Sequence, residues 1–125
     1  MATTEDRPAR AAADTLVDRP PLRSLAEDLA ARREQAKLGG GPEKIEAQHA
    51  RDKLTARERL ALLIDEGTFF ELGIHGRPHF SQRAMEGREA PADGVVTGYG
   101  KVDGRLVAVA AYDYTVMAGS MGMTG

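Results

Sequence analysis

No cysteine occurs anywhere in the 125 residues. A disulfide framework and a thiolate metal site are therefore excluded, and a reducing, cytoplasmic setting is expected. Tryptophan is absent as well, and Phe and Tyr number three each. That is too few for the aromatic platforms that stack single-stranded nucleic acid. Charge of one sign is also missing. A formal net charge of −2 gives no whole-chain pull toward nucleic acid or an anionic membrane. Long apolar runs are lacking too. The longest surrounds Leu106 to Ala111, far short of the ~20 residues that cross a bilayer. Met1 to Val17 has no apolar core of the signal-peptide kind, and Glu5, Asp6 and Asp14 oppose an organellar transit segment.

What is present gathers toward the carboxy end, in residues 93 to 122. Two strand-like runs flank Asp103-Gly104. A two-residue Asp-Gly between such runs signals a tight hairpin, because both turn positions need positive φ. The second run, Leu106 to Ala111, has no polar interruption. Six apolar residues without alternation predict a strand covered on both faces, as in a layered α/β domain. The run opens into Ala118-Gly119-Ser120-Met121-Gly122, where small residues let the backbone approach a ligand or another strand closely.

The rest of the chain prepares for this stretch. Met1 to Pro21 shows no period and is expected to be a mobile tail. Leu22 to Leu38 reads as a helix with Leu22, Leu25, Ala26, Leu29 and Ala30 on one face. Ser24 and Glu27 have the spacing of a capping box. Gly39-Gly40-Gly41 ends that helix, and Pro42 opens a second, about Pro42 to Asp52, with Ile45 its one strong apolar anchor. Thr55 and Glu58 form another capping box before Leu60, Leu62, Leu63 and Ile64, and Gly67 stops the helix. Phe69, Phe70 and Leu72 make a short extended segment. Residues 73 to 92 read as a long loop. At this length one small domain fits. The chain stops at Gly125 inside a glycine pattern, so the expectation is the front piece of something longer, dependent on further layers for cover.

Several residues are candidates for chemistry. His75 and His79 are four apart, but Gly76 and Pro78 between them oppose the helix that a metal pair would need; no metal site is expected. Gly98-Tyr99-Gly100 lies inside a strand run, where a close strand crossing explains it better than a dinucleotide fingerprint. Asp93 and Asp113 flank the apolar runs. Each is either an acid–base group awaiting a partner or, as we favour, a cap on local amides. Lys53, Arg57 and Arg59 form a basic cluster, Arg57 being a phosphate candidate. The competing reading is a solvated face with salt bridges to Glu58 and Asp65. The amides of Ala118 to Gly122 could meet an anion or a carbonyl oxygen, or could simply close a tight turn.

Three segments together resemble one family. Lys53 to Leu60 (KLTARERL), with Leu63, Ile64, Asp65, Glu66, Gly67, Thr68 and Phe69, is similar to the opening of the carboxyltransferase (beta) subunits of biotin-dependent acyl-CoA carboxylases. Asp93 to Gly100 (DGVVTGYG) resembles their first hairpin strand. Asp113 to Gly122 (DYTVMAGSMG) resembles their Asp-Phe-Thr-Val-(x)-Gly-Gly-Ser-(x)-Gly segment. The resemblance spans about residues 22 to 125 and implies an α/β fold, with N-terminal helices and a β-hairpin starting a crotonase-like (ClpP/crotonase superfamily) domain. It implies transfer of a carboxyl group from carboxybiotin, held on a separate carrier, to the α-carbon of an acyl-CoA. Ala118, Gly119, Ser120 and Gly122 would then lie along CoA, and Arg57 near a phosphate. Backbone amides that stabilise the enolate oxygen are expected downstream of Gly125, leaving no catalytic residue in this chain. Implied partners are acyl-CoA, a biotin carboxylase/biotin carrier subunit and further copies in a homo-oligomer, with no nucleic acid or membrane. Two departures stand out: Ala118 replaces a usual Gly, and Met123-Thr124-Gly125 replaces a Glu-(x)-His-Gly continuation. They leave the acyl substrate open, as well as the choice among carboxylase, decarboxylase and transcarboxylase. A non-catalytic interaction or CoA-binding module is the alternative.

Overall fold

The computed structural model describes residues 20–78 and 89–120. The expected tail therefore falls outside the described residues except at Pro20 and Pro21, as do His79, Gly122 and the middle of the 73–92 loop. Two compact units divide the chain, Met1–Ala31 and Arg32–Gly125. Helix α1 (Leu22–Lys37) runs through the division. In the first unit its leucines stay in solvent, Leu22 most of all. The capping box expected at Ser24 does not form. Pro20 and Pro21 let the helix start at Leu22, three residues sooner than a Ser24 cap requires, so Ser24 lies inside the first turn. Its hydroxyl donates back to the Pro21 carbonyl at 2.8 Å, and Glu27 faces Arg23 instead.

In the second unit, helix α2 (Pro42–His49) is short and buries nothing, in keeping with Ile45 as its single anchor. It ends three residues before the expected Asp52, where Asp52 turns left-handed at φ 55°. Helix α3 (Ala56–Leu63) starts on the predicted box: the Glu58 amide donates to Thr55 Oγ1, and the Thr55 amide donates to the Glu58 carboxylate at 2.7 Å. Strand β1 (Phe70–Leu72) is followed, after a 3-10 turn at Pro91–Gly94, by β2 (Val95–Val102) and β3 (Arg105–Tyr112). They form an antiparallel sheet in the order β1-β2-β3. The β2–β3 turn is the Asp-Gly turn foreseen, with φ of 50° at Asp103 and 77° at Gly104, and Val102 opposite Arg105.

The register explains which face is covered. Val96, Gly98 and Gly100 oppose Ala111, Val109 and Val107, and Glu71 joins them from β1. This face meets α3: Leu60, Ile64 and Val96 form the buried cluster, with Val109 and Ala111 packed on it. Helix and sheet come close at Gly100, and β1 and β2 at Gly98, because neither position carries a side chain. A Cβ at Gly100 would lie 2.6 Å from Ile64 Cγ2, and one at Gly98 2.4 Å from the Phe70 carbonyl oxygen. The close-crossing reading of Gly98-Tyr99-Gly100 therefore holds.

The opposite face carries Phe70, Leu72, Tyr99, Leu106 and Tyr112, all exposed, with Phe70 stacked on Tyr99 at 5.2 Å. Among the described residues one face of β3 is covered; the open face is the one for which the sequence reading expects cover from further layers. Ala108 and Ala110 lie on that open face, where a solvent-facing strand would show polar residues.

Candidate functional site

The site is the end of the hairpin where β2 begins and β3 leaves. Register pairs Val95 with Tyr112, and the Asp113 amide donates to the Gly94 carbonyl at 2.9 Å. Asp93 and Asp113 are thus brought to one end of the sheet, and both are buried. Asp113 behaves as the cap expected of it. Its Oδ1 accepts the Thr115 amide at 2.9 Å and the Thr115 hydroxyl at 2.6 Å. Asp93 sits at φ 50° beside Ala92 at φ 52°. Two successive left-handed residues that are not glycine mark a strained entry to β2.

The chain beyond Asp113 is strained in the same sense. Met117, Ala118 and Gly119 have φ of 46°, 54° and 77°. The Gly119 amide donates to Val116 and the Ser120 amide to Met117, at 3.0 and 3.1 Å. Of the two readings of the small-residue stretch, the tight turn is the one these hydrogen bonds realise. Its Gly119 and Ser120 amides are spent within it. Ala118 and Ser120 are exposed at this turn and Gly119 is half-buried. The turn folds back on the start of β2, since a Cβ at Gly94 would lie 2.7 Å from the Ser120 carbonyl oxygen. Gly122, the last position in the predicted CoA set, lies outside the described residues.

A second support went unread in the sequence. The sequence predicts only the end of a helix at Gly39-Gly40-Gly41, yet the Gly40 amide donates to Thr115 Oγ1 at 3.0 Å. Thr115 thus links the α1–α2 connection to Asp113. Asp-x-Thr is a local side-chain-to-backbone turn pattern and carried half of this signal; no local pattern announces the long-range half.

The basic cluster separates. Arg57, the phosphate candidate, points to the sheet and forks onto Glu71 at 2.7 and 2.8 Å. The salt-bridge alternative is realised, but with Glu71 in place of Glu58 or Asp65. Asp65 instead accepts the Asp103 and Gly104 amides at 3.0 and 2.8 Å. Glu58 accepts from Thr55 and meets His49 Nε2 at 2.9 Å. The His49 contact, then the Thr55 amide, holds the Glu58 carboxyl below its ordinary range. Lys53 and Arg59 turn away from these carboxylates into a shallow groove that they share with Gln48, Leu54 and Tyr114. Among the described residues no three His, Asp or Glu side chains group as a metal site, and no helix is long and apolar enough to cross a membrane.

Residues 47–125 match the carboxyl transferase domain. The chain is 45% identical over 103 residues to the propionyl-CoA carboxylase beta chain of Roseobacter denitrificans, covering 82% of this chain and 20% of that protein. It is 47% identical over 96 residues to the methylmalonyl-CoA decarboxylase subunit alpha of Propionigenium modestum, covering 77% and 19%. In structure it is similar to the transcarboxylase 12S hexamer core crystallised with methylmalonyl-coenzyme A and methylmalonic acid. There the TM-score is 0.77 and the identity 41%, over 82% of this chain and 20% of that one. The chain thus spans about a fifth of the length of the curated relatives it matches. The matched segment contains α3, all three strands and the strained turn at Met117–Gly119, and the α/β, crotonase-like architecture is the one its structural neighbours share. Its hairpin, its capped helix and its sequence agree on one assignment: the chain belongs to the carboxyl transferase domain family.

Proposed function

We propose that this chain is part of the carboxyltransferase component of a biotin-dependent acyl-CoA carboxylase, in which a carboxyl group passes from carboxybiotin to the α-carbon of an acyl-CoA. The observation that carries the reading is the match of residues 47–125 to the carboxyl transferase domain. Its substrate side is supported by the 41% identical transcarboxylase core that holds methylmalonyl-coenzyme A. The role of this segment is to shape the CoA side. Ala118, Gly119 and Ser120 form a low surface along which a thioester carrier lies. Asp113, Thr115 and Gly40 hold that surface in place. Carboxybiotin, on a separate carrier, supplies the activated carboxyl group when bound, and we assign no described residue to it. Partners on this reading are a biotin carboxylase/biotin carrier subunit and further copies of the protein, in a cytoplasmic setting. Arg57 is not available to a phosphate while it is forked on Glu71.

The similarity to a methylmalonyl-CoA decarboxylase subunit favours a second reading, in which the same CoA surface serves the reverse step, removal of a carboxyl group from methylmalonyl-CoA.

The test is titration of the isotope-labelled chain with propionyl-CoA. Amide shifts concentrated at Met117 to Ser120, weakened by Ser120→Asp, are expected. Shifts elsewhere, with that turn silent, would overturn the assignment. The chain alone is expected to give no carboxylation of propionyl-CoA from carboxybiotin and no decarboxylation of methylmalonyl-CoA; turnover above background would show that catalytic groups lie within these residues.

A further inference from the structure

We propose that the hairpin tip Asp103-Gly104 is a modification site, where Asp103 converts to isoaspartate through a cyclic imide, and that Asp65 is the clamp that holds this chemistry back.

An Asp-Gly step carries its own electrophile and nucleophile. The Gly104 nitrogen attacks the side-chain carboxyl carbon of Asp103 in its neutral acid form. A C–N bond closes the imide ring, and the carboxyl hydroxyl leaves as water with the amide proton. Water then opens the ring at either carbonyl. Opening at the side-chain carbonyl restores Asp103. Opening at the main-chain carbonyl leaves the chain running through the side chain, as isoaspartate. One water departs and one returns, and nothing is oxidised or reduced. Glycine suits the step because no Cβ hinders its nitrogen.

Two Asp-Gly steps occur in the sequence, and the fold treats them oppositely. Asp93 and Gly94 are both buried. The Asp93 amide donates to the Ala90 carbonyl at 3.2 Å, and the Gly94 carbonyl accepts the Asp113 amide at 2.9 Å. A Cβ at Gly94 would lie 2.7 Å from the Ser120 carbonyl oxygen. Burial leaves that step no room to turn and no bulk water to open a ring. Asp103 and Gly104 are both exposed, and a Cβ at Gly104 would meet nothing within 4 Å. Space and solvent are at hand there, so only local geometry protects the step.

That protection comes from Asp65. The Asp103 and Gly104 amides donate to its Oδ1 and Oδ2 at 3.0 and 2.8 Å. Ring closure consumes the Gly104 N–H, so the bond to Oδ2 must break first. Closure also swings the Gly104 nitrogen over the Asp103 side-chain carbon. This rotation takes Asp103 out of the tight-turn backbone that the two left-handed residues define. The carboxylate itself is tethered. The Asp65 amide donates to the Lys101 carbonyl at 2.8 Å. The Lys101 amide donates to Thr68 Oγ1 at 3.0 Å, and Thr68 Oγ1 donates to the Asp65 carbonyl at 2.7 Å. Helix end and strand end are thus laced together behind the tip, and neighbouring Ile64 is buried in the core cluster. Modification also disables the clamp. Isoaspartate adds a carbon to the main chain between the two amides, which then no longer fit one carboxylate.

Incubation of the full chain in heavy-oxygen water, followed by peptide mapping, reads both steps at once. Each ring opening places one solvent oxygen in the aspartate residue. Urea-unfolded wild type sets the unprotected rate, at which Asp103 and Asp93 should label alike. In the folded wild type Asp103 should label slowly and Asp93 should stay silent. Asp65→Ala should speed labelling and isoaspartate formation at Asp103 about tenfold, as expected for lost hydrogen bonds to a charged group, with Asp93 still silent. Asp65→Asn keeps one acceptor oxygen and should show the same asymmetry, smaller. Equal rates at Asp103 in wild type and Asp65→Ala would overturn the clamp. Equal acceleration at both Asp-Gly steps in both variants would overturn it too, because the cause would then be opening of the whole chain. Absence of label at Asp103 in the unfolded chain would overturn the site itself.

Discussion

Gly40 and Thr115, 75 positions apart, are joined by one hydrogen bond from backbone amide to side-chain hydroxyl, 3.0 Å long. They touch so closely that a Cβ at Gly40 would lie 1.8 Å from the Thr115 carbonyl oxygen. No rotamer relieves that clash, because both atoms belong to or sit directly on the backbone. Gly40→Ala should therefore push the α1–α2 connection away from the hairpin end. Overpacking of this kind costs about 1–3 kcal/mol. Thr115→Val tests the same joint from the other side: it keeps the shape and removes both the acceptor for Gly40 and the donor to Asp113. It should destabilise by about 1–3 kcal/mol, while Thr115→Ser stays near wild type. Chemical denaturation of the four proteins decides. Equal stability of Thr115→Val and Thr115→Ser would mean that the hydroxyl contributes nothing.

Among the described residues Arg57 and Glu71 form the one bidentate pair between helix and sheet. The Glu71 side chain is 8% exposed, so removing Arg57 strands a nearly buried carboxylate. Arg57→Ala should cost roughly 2–3 kcal/mol. Arg57→Lys should recover only part of that, because an ammonium cannot fork. Replacing both residues with methionine should be milder than Arg57→Ala alone, since an apolar pair leaves no orphaned charge. A double-mutant cycle on denaturation midpoints gives the coupling; a value near zero would reduce the pair to a surface contact.

The legibility of this chain follows the range of the interactions. The Thr55–Glu58 box, the Asp103-Gly104 turn and the glycines of β2 are local demands of the backbone, and each was readable from a few adjacent letters. The Ser24–Glu27 box has the same letters and failed, because two prolines upstream had already begun the helix. The resemblance placed the fold and family, since three short motifs in order are far more specific than any one. Contacts of long separation were not legible. Nothing near Arg57 says that its partner is Glu71 on a strand, and nothing near Gly40 says that Thr115 will press on it. Within the site, the turn at Ala118 to Ser120 was found from small residues and family likeness.

Asp65 reaches from the end of α3 to the hairpin tip, where its two oxygens accept the Asp103 and Gly104 amides. Its own amide donates to the Lys101 carbonyl at 2.8 Å. The turn that Asp-Gly favours locally is thus held by a clamp from outside. Asp65→Ala should leave the turn type intact and loosen it. Amide exchange at Asp103 and Gly104 should accelerate, with a loss of about 1–2 kcal/mol in global stability. Asp65→Asn keeps one acceptor oxygen and should fall between. Unchanged exchange at both amides in Asp65→Ala would show that the Asp-Gly sequence holds the turn unaided.

Acid should loosen α3 at its first turn. Glu58 is held below its ordinary range mainly by His49 and then by the Thr55 amide. The folded carboxyl therefore gives up its charge at lower pH than the unfolded one. For a group depressed in this way, the stabilising contribution is fully present above the unfolded value. It fades as pH falls through the folded one. At neutral pH the Thr55–Glu58 box is intact; below the ordinary carboxylate range the protonated acid can no longer accept from both His49 and the Thr55 amide. Helix α3 should then fray from Ala56 onward. Because Leu60 in its second turn anchors the core, the sheet should lose protection in the same window. Glu58→Gln should flatten this pH dependence while keeping an acceptor for the Thr55 amide. His49→Ala should shift the fraying to higher pH, closer to the ordinary carboxylate range. Exchange rates at Glu58 and Arg59, followed by NMR across the acid range, read the effect directly. Identical profiles for wild type and Glu58→Gln would place the acid sensitivity on another carboxylate.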